Sequence, residues 1–112
     1  MDKEKIKQQE NANDGQSIFL YYDELAGKYL AYGLSAYYTT MITEPDLSFS
    51  EEMGLPVALI KRDQIKYMRG GNLTIVQHKQ KTFYHFLMRY HVGDAGYEKW
   101  LKRNFPEYVD ED

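Results

Sequence analysis

Basic and aromatic residues alternate between residues 79 and 91, a pattern that could bind an anionic chain. A β-strand turns every second side chain to one face, which would bring together Lys79, Lys81, Phe83, His85, Leu87, Arg89 and His91. Surfaces of this kind bind single-stranded nucleic acid, because cations attract phosphates and rings stack on bases. A second interpretation is that another element covers Phe83 and Leu87 while the cationic groups reach water. The candidate binding surface therefore comprises Lys79, Lys81, Phe83, His85, Arg89 and His91.

The histidines and serines do not have the spacing of a metal or catalytic site. His85 and His91 are six positions apart on one predicted strand, a separation of about 20 Å. His78 could lie beside His85 across a turn, but no carboxylate is placed with them to complete a zinc or iron site. No serine stands in a nucleophile-elbow motif. We therefore predict no cofactor and no metal, and favour a non-enzymatic protein over an enzyme whose site is assembled from distant residues.

The charges of the chain are strongly segregated. The 112 residues carry a net charge of −3, but residues 10–60 hold eight acids and one base, whereas residues 61–92 hold seven bases and one acid. The two halves could face each other within one sheet, associate head to tail between copies, or attract an anionic partner. The chain has no cysteine, which excludes disulfides, thiolate metal ligands and a cysteine nucleophile.

Tyrosine is the most unusual feature of the composition, with 11 of the 112 residues. Its ring is apolar and its hydroxyl is polar, so tyrosines suit half-buried positions on an antiparallel sheet or an exposed surface for a partner. Residues 1–16 have no apolar run typical of a secretory signal, and no apolar segment reaches the roughly 20 residues that span a bilayer. We therefore expect a cytoplasmic protein without a membrane partner.

The candidate surface requires a long strand, and the pattern predicts a helix after it. Bulky residues at every second position from Thr82 to Val92 predict that the opposite face of this strand lies on a core. Asp94 is a suitable cap for a short amphipathic helix over Tyr97–Phe105, in which Trp100 is expected to be buried. The core-facing strand residues are Tyr84, Phe86 and Met88.

The pattern in the first half of the chain predicts a hairpin followed by a segment that fits two structures. Ser17–Gly33 has two β-prone runs, and Gly27 lies between them where a hairpin loop needs a left-handed residue. Residues 35–42 fit either a helix or a strand, and the helix is favoured. Ser48 and Glu51 form a small capping box that predicts a single helical turn.

The second half is predicted to be mainly strand. Residues 55–68 begin as a strand that we expect to bulge at Arg62–Asp63, because Ile60 and Ile65 would otherwise face opposite sides. Another strand covers residues 73–78. Residues 1–16 are predicted to be a disordered polar tail with at most a frayed helical turn at Lys3–Gln9. Residues 107–112 are predicted to be an acidic tail, so one domain occupies residues 17–106.

Two short resemblances accompany these patterns. Ile60…Ile65, Gly71-Asn72-Leu73-Thr74-Ile75, Lys81…Phe86 and the Trp100 helix resemble the C-terminal half of pleckstrin-homology-like domains, which ends in strands closed by such a helix. Tyr29–Ala36 is similar to the strand-to-helix segment of the mismatch-reading N-terminal domain of MutS proteins. The phenylalanine and glutamate that read the mismatch in that family fall at Lys28 and Leu30, so this resemblance implies no function.

The sequence thus predicts an α+β fold: one domain with a largely antiparallel sheet of about five strands and a C-terminal amphipathic helix packed on it. The expected function is a non-enzymatic binding or protein-interaction module, with a protein partner or self-association. The alternatives are single-stranded nucleic-acid binding through the basic aromatic face and a small enzyme.

Overall fold

Six antiparallel strands form one sheet, and helices cover both of its faces. The structure is a computed structural model that describes residues 3–70, 73–79 and 82–109. The strands lie in the order β3-β4-β2-β1-β6-β5. Along the chain the elements are α1 (Lys3–Asn11), β1 (Ser17–Asp23), β2 (Lys28–Tyr32), α2 (Leu34–Thr39), β3 (Asp46–Ser50), β4 (Leu55–Ile60), α3 (Arg62–Gly70), β5 (Thr74–Lys79), β6 (Phe83–Leu87) and α4 (Tyr97–Asn104). The predicted α+β class is confirmed.

The hairpin and the helix after it are also confirmed. Strands β1 and β2 pair antiparallel around a loop in which Gly27 has a φ of 65°. Residues 34–39 form α2, whose Tyr38 is completely buried and donates a hydrogen bond to the Gly93 carbonyl at 2.6 Å.

Strand β3 and the turn after it replace the helical turn that was predicted after Ser48. This strand gives the sheet six strands instead of the predicted five or so. β3 pairs along its whole length with β4, and the turn after it ends at Gly54, whose φ is 67°. The hydroxyl of Ser50 accepts a hydrogen bond from the Met53 N–H at 3.2 Å, so a serine stabilises this turn, but this serine lies two residues after the predicted cap Ser48. The capping-box prediction was therefore wrong.

The predicted bulged strand over residues 55–68 was wrong in its second half, where α3 forms. Gln64 accepts a hydrogen bond from the Lys61 N–H at 2.8 Å, which satisfies an N–H at the helix start as a capping-box side chain does. Ile65 and Met68, three positions apart, are both buried in the core. The resemblance to pleckstrin-homology-like domains needs a strand here and does not hold over this segment.

The strand predicted from Thr82 to Val92 ends earlier, at Leu87. The Met88 N–H donates to the Gln16 carbonyl and the Gln16 side chain donates to the Met88 carbonyl, so the chain leaves the ladder at this point. Helix α4 forms as predicted and packs against the sheet, with Gly96 rather than Asp94 at its N-cap. Its residues Trp100 and Leu101, and Phe105 just after it, are buried in the main core.

The main core lies between one sheet face and helices α2, α3 and α4. It contains alternate residues of the neighbouring strands β1 and β6, including Ile18, Leu20, Tyr84 and Phe86. Helix α1 lies on the opposite face, where Ile6 joins a smaller apolar cluster. This helix differs from the disordered tail that the polar composition of residues 1–16 predicts, because Ile6 and Glu10 both find buried partners in the fold.

At the other end, the predicted acidic tail contacts the domain as far as the structure describes it. The ring of Tyr108 stacks on Phe49 with centroids 4.4 Å apart, and Val109 packs against the core. The rest of that predicted tail lies outside the described residues. Within the described residues, no helix combines the length and the apolar character needed to cross a membrane.

Candidate functional site

Helix α1 is anchored to the sheet through residues four positions apart. Ile6 is 2% exposed and packs with Leu30, Tyr32 and Val57, while Glu10 is 6% exposed. Positions i and i+4 share one face of a helix, so a single isoleucine and a single glutamate define the buried side of α1. The remaining residues of this polar helix face solvent or a neighbouring groove.

Glu10 binds the start of α2 with its carboxyl group. One oxygen accepts a hydrogen bond from the Ser35 N–H at 3.1 Å, and the other accepts from the Ser35 hydroxyl at 2.6 Å. The Ser35 hydroxyl in turn accepts a hydrogen bond from the Phe19 N–H at 3.0 Å. It thus replaces the backbone acceptor that β1 would have found if β2 continued. Burial raises the pKa of Glu10 from 4.5 to about 7, although hydrogen bonds from Ser35 and Asn13 oppose that rise.

The outer faces of β1 and β6 form an aromatic floor beside α1. Phe19 pairs with His85 and Tyr21 pairs with Phe83 across the two strands. The centroids of Phe19 and His85 are 4.4 Å apart, and those of Tyr21 and Phe83 are 5.4 Å apart. Directly opposite residues of antiparallel strands share a face, so these four rings form one surface.

A groove of about 780 Å³ runs between this floor and α1. The helix contributes the polar wall, and the strands contribute the rings. The hydroxyl of Tyr21 donates a hydrogen bond to Gln9, which joins the floor to the wall. The lining residues are Lys5, Gln8, Gln9, Ala12, Phe19, Tyr21, Phe83 and His85.

His85 forms part of a hydrogen-bonded chain with Ser17 and Asp14. The Ser17 Oγ lies 2.8 Å from His85 Nε2 and also bonds the carboxyl of Asp14. This contact places the imidazole near the Asp14 carboxylate, whose charge acts on His85.

The protonation of this chain follows from its surroundings. Burial lowers the pKa of His85, and the charge of Asp14 opposes that effect. Burial alone would raise the pKa of Asp14, but hydrogen bonds from the Ser17 side chain and from the Gln16 and Ser17 backbone lower it overall. At neutral pH the chain therefore consists of a carboxylate, a serine and a mainly neutral imidazole.

Of the six residues predicted for the binding surface, two are described residues that meet in the groove. Phe83 and His85 line it. Lys79 lies opposite Phe83 in the β5–β6 register, and Lys81 lies outside the described residues.

Arg89 and His91 follow the end of β6 and lie elsewhere. Arg89 borders a different pocket, of about 460 Å³, together with Met41, Leu73 and Tyr90. The ring of His91 packs against Gly15, where a Cβ would lie 2.5 Å from His91 Nε2. These two residues are not part of one surface with Phe83, because the strand that was expected to align them stops at Leu87.

Sequence reasoning missed half of the floor and all of the wall. Phe19 and Tyr21 alternate on β1 just as Phe83 and His85 do on β6, so a face assignment for the first strand would have found them. The wall residues of α1 had no comparable signal, because one apolar residue in nine gives no helical periodicity. Among the described residues, no group of three histidine or carboxylate side chains is arranged to bind a metal ion.

No protein family, curated protein or solved structure matches this chain. Its function must therefore be inferred from the groove and its chemistry.

Proposed function

We propose that this protein is a non-enzymatic binding module that holds an extended segment of a partner protein in the groove between α1 and the sheet. The supporting observation is the combination of three aromatic rings and His85 with amide side chains along a groove of about 780 Å³. Rings accept apolar side chains, and amides and imidazole pair with peptide groups. A volume in this range is typical of sites that enclose a ligand.

The charges at the groove favour a peptide over a nucleic acid. Lys5 is the one lysine or arginine among the described lining residues. Burial lowers the pKa of His85, so the imidazole adds little positive charge at neutral pH. Nucleic-acid grooves depend on several cations that neutralise phosphates, whereas a peptide segment needs hydrogen-bonding groups and apolar contacts.

The geometry of Ser17 supports binding rather than hydrolysis. A catalytic serine donates its proton to histidine and must be reachable by substrate. Ser17 is 2% exposed, so a substrate cannot reach its hydroxyl. The chain of Asp14, Ser17 and His85 thus fixes the orientation of the imidazole at the groove floor.

Selection from a library of random peptides tests the proposal. Peptides that contain aromatic or aliphatic residues should be enriched, and Phe83→Ala should weaken their binding by about tenfold or more, as loss of a ring at an interface centre does. Tyr67→Ala is the matched control, because Tyr67 is 65% exposed on α3. A library without enrichment, or peptides that bind Phe83→Ala as tightly as the wild type, would contradict the proposal.

Single-stranded nucleic acid is the second candidate, because the Phe19 and Phe83 rings are stacked with centroids 6.3 Å apart and offer a platform for bases. Titration with labelled oligonucleotides at about 50 mM salt separates the two ligands, since nucleic-acid binding weakens steeply as salt rises. Binding of oligonucleotides that Phe83→Ala abolishes would favour this candidate over a peptide.

A further inference from the structure

The sheet ends in two strands that each pair with only one neighbour in the described part of the chain. β3 pairs with β4 at one end, and β5 pairs with β6 at the other. The outer edge of such a strand presents backbone N–H and C=O groups that can bind another strand. The two edges are independent of the groove.

Strand order brings the segregated charges of the sequence to these two ends. At β3, the exposed acids Asp46 and Glu51 stand at the start of the strand and just after it, and Glu44 is exposed nearby. At β5, the exposed Arg69 lies in the last turn of the preceding helix, and Lys79 ends the strand. One edge is therefore acidic and the other basic.

The strand directions also match. Every neighbouring pair in the sheet is antiparallel, so in a sheet of six strands the two outermost strands run in opposite directions. A second copy translated along the sheet would present its β3 antiparallel to β5 of the first. That alignment brings Lys79 towards Asp46 of the next copy, and the start of β5, which follows Arg69 in the chain, towards Glu51 of the next copy.

We propose that copies of this protein associate head to tail, with the basic β5 edge of one copy on the acidic β3 edge of the next. Pairing of β5 with β5, or of β3 with β3, would bring like charges together, so the charges select the asymmetric contact. The same contact can repeat, which gives open chains rather than closed dimers.

Sedimentation velocity of the intact protein over a wide concentration range tests the proposal. At about 50 mM salt the average mass should rise with concentration, and at about 500 mM it should return towards the monomer, because salt screens exposed charges. Asp46→Lys with Glu51→Lys makes both edges basic, and Arg69→Glu with Lys79→Glu makes both edges acidic. Each double variant alone should remain monomeric, whereas an equimolar mixture of the two should associate.

Charge-matched controls use exposed positions outside β3 and β5: Glu24→Lys with Glu98→Lys, and Lys99→Glu with Lys102→Glu. These controls should associate as the wild type does, and circular dichroism checks that all variants fold. A wild type that is monomeric at low salt at every concentration overturns the proposal, and this measurement needs no variant to fold. Edge variants that associate alone, or a mixture that does not associate, overturn it as well. Tyr21→Ala, which alters the groove from β1 rather than from a strand next to an edge, should leave association unchanged, so failure of the groove proposal is distinguishable from failure of this one.

Discussion

Replacing Glu10 with glutamine should make the protein more stable at alkaline pH and flatten its dependence on pH. The buried carboxyl of Glu10 is the contact that joins α1 to the start of α2 through Ser35. Glutamine has the same shape and resembles the protonated acid, because its amide can both accept from the Ser35 N–H and donate to the Ser35 hydroxyl. The substitution thus removes the titration while the contact is retained.

The magnitude follows from the two pKa values. Burial raises the pKa of Glu10 from 4.5 to about 7, so the folded protein binds more protons than the unfolded chain between these values. The stability that this carboxyl contributes is therefore fully present below pH 4.5, decreases as the pH rises to about 7, and stays low above it. At about 1.4 kcal/mol per pH unit, the interval corresponds to about 3 kcal/mol.

Urea unfolding monitored by Trp100 fluorescence at several values between pH 5 and pH 8 provides the measurement. The difference in unfolding free energy between Glu10→Gln and wild type should shift in favour of the variant by about 3 kcal/mol across this range. Taking the difference cancels other groups that titrate there, including His85. For Glu24→Gln, at an exposed position, the unfolding free energy should depend on pH in the same way as that of the wild type. If the unfolding free energies of Glu10→Gln and the wild type differ by the same amount at every pH, the buried contact between α1 and α2 is refuted.

Three further substitutions test the packing, each by the same unfolding measurement. Trp100→Ala should cost about 3–5 kcal/mol, because Trp100 is 8% exposed and packs in the main core; a water-like emission maximum or an unchanged melting temperature would contradict this. Gly33→Ala should cost about 1–3 kcal/mol, since φ of 59° with ψ of −128° is a conformation that side chains avoid, and more than Gly27→Ala, which has open space around it. Tyr38→Phe should cost about 1–3 kcal/mol, because the Gly93 carbonyl loses its hydrogen bond from a buried hydroxyl; a loss below 0.5 kcal/mol would argue against that bond.

The alternation of side chains in β6 was readable from the sequence because strand geometry leaves no freedom. Consecutive side chains of a strand point to opposite faces, so assigning Tyr84 and Phe86 to the core also assigned Phe83 and His85 to the outer face. In α4 the three- and four-residue spacing of a helix likewise placed Trp100 on the buried side together with its apolar neighbours. These predictions depend on local periodicity alone.

The elements that were missed depend on contacts distant in the chain. Helix α1 is held in place by Ile6, which packs with Val57, and by Glu10, which binds Ser35. The polar sequence around Ile6 and Glu10 does not indicate that Val57 and Ser35 are their partners. The position of the charges likewise depends on strand order, which places β3 and β5 at opposite ends of the sheet although only β4 and α3 separate them along the chain. Local patterns carry no information about such an order.

The double role of α1 leads to a last prediction, which rests on the proposed peptide site. The helix is held by Glu10 and supplies one wall of the groove, so a ligand in the groove binds the state in which α1 is docked. Docking raises the pKa of Glu10 to about 7, and therefore the docked fraction increases as the pH falls from 8 to 6.

The apparent affinity for a selected peptide should rise in proportion to that docked fraction, because only the docked state completes the groove. Titration calorimetry at pH 6, 7 and 8 measures the affinity, and hydrogen exchange of the α1 amides measures the docked fraction under the same conditions. Glu10→Gln should remove the dependence on pH over this range, whereas Glu24→Gln should retain it. If α1 undocks at pH 8 while the affinity stays constant, the helix is not a wall of the binding site. The ligand would then have to rest on the aromatic floor of β1 and β6 alone.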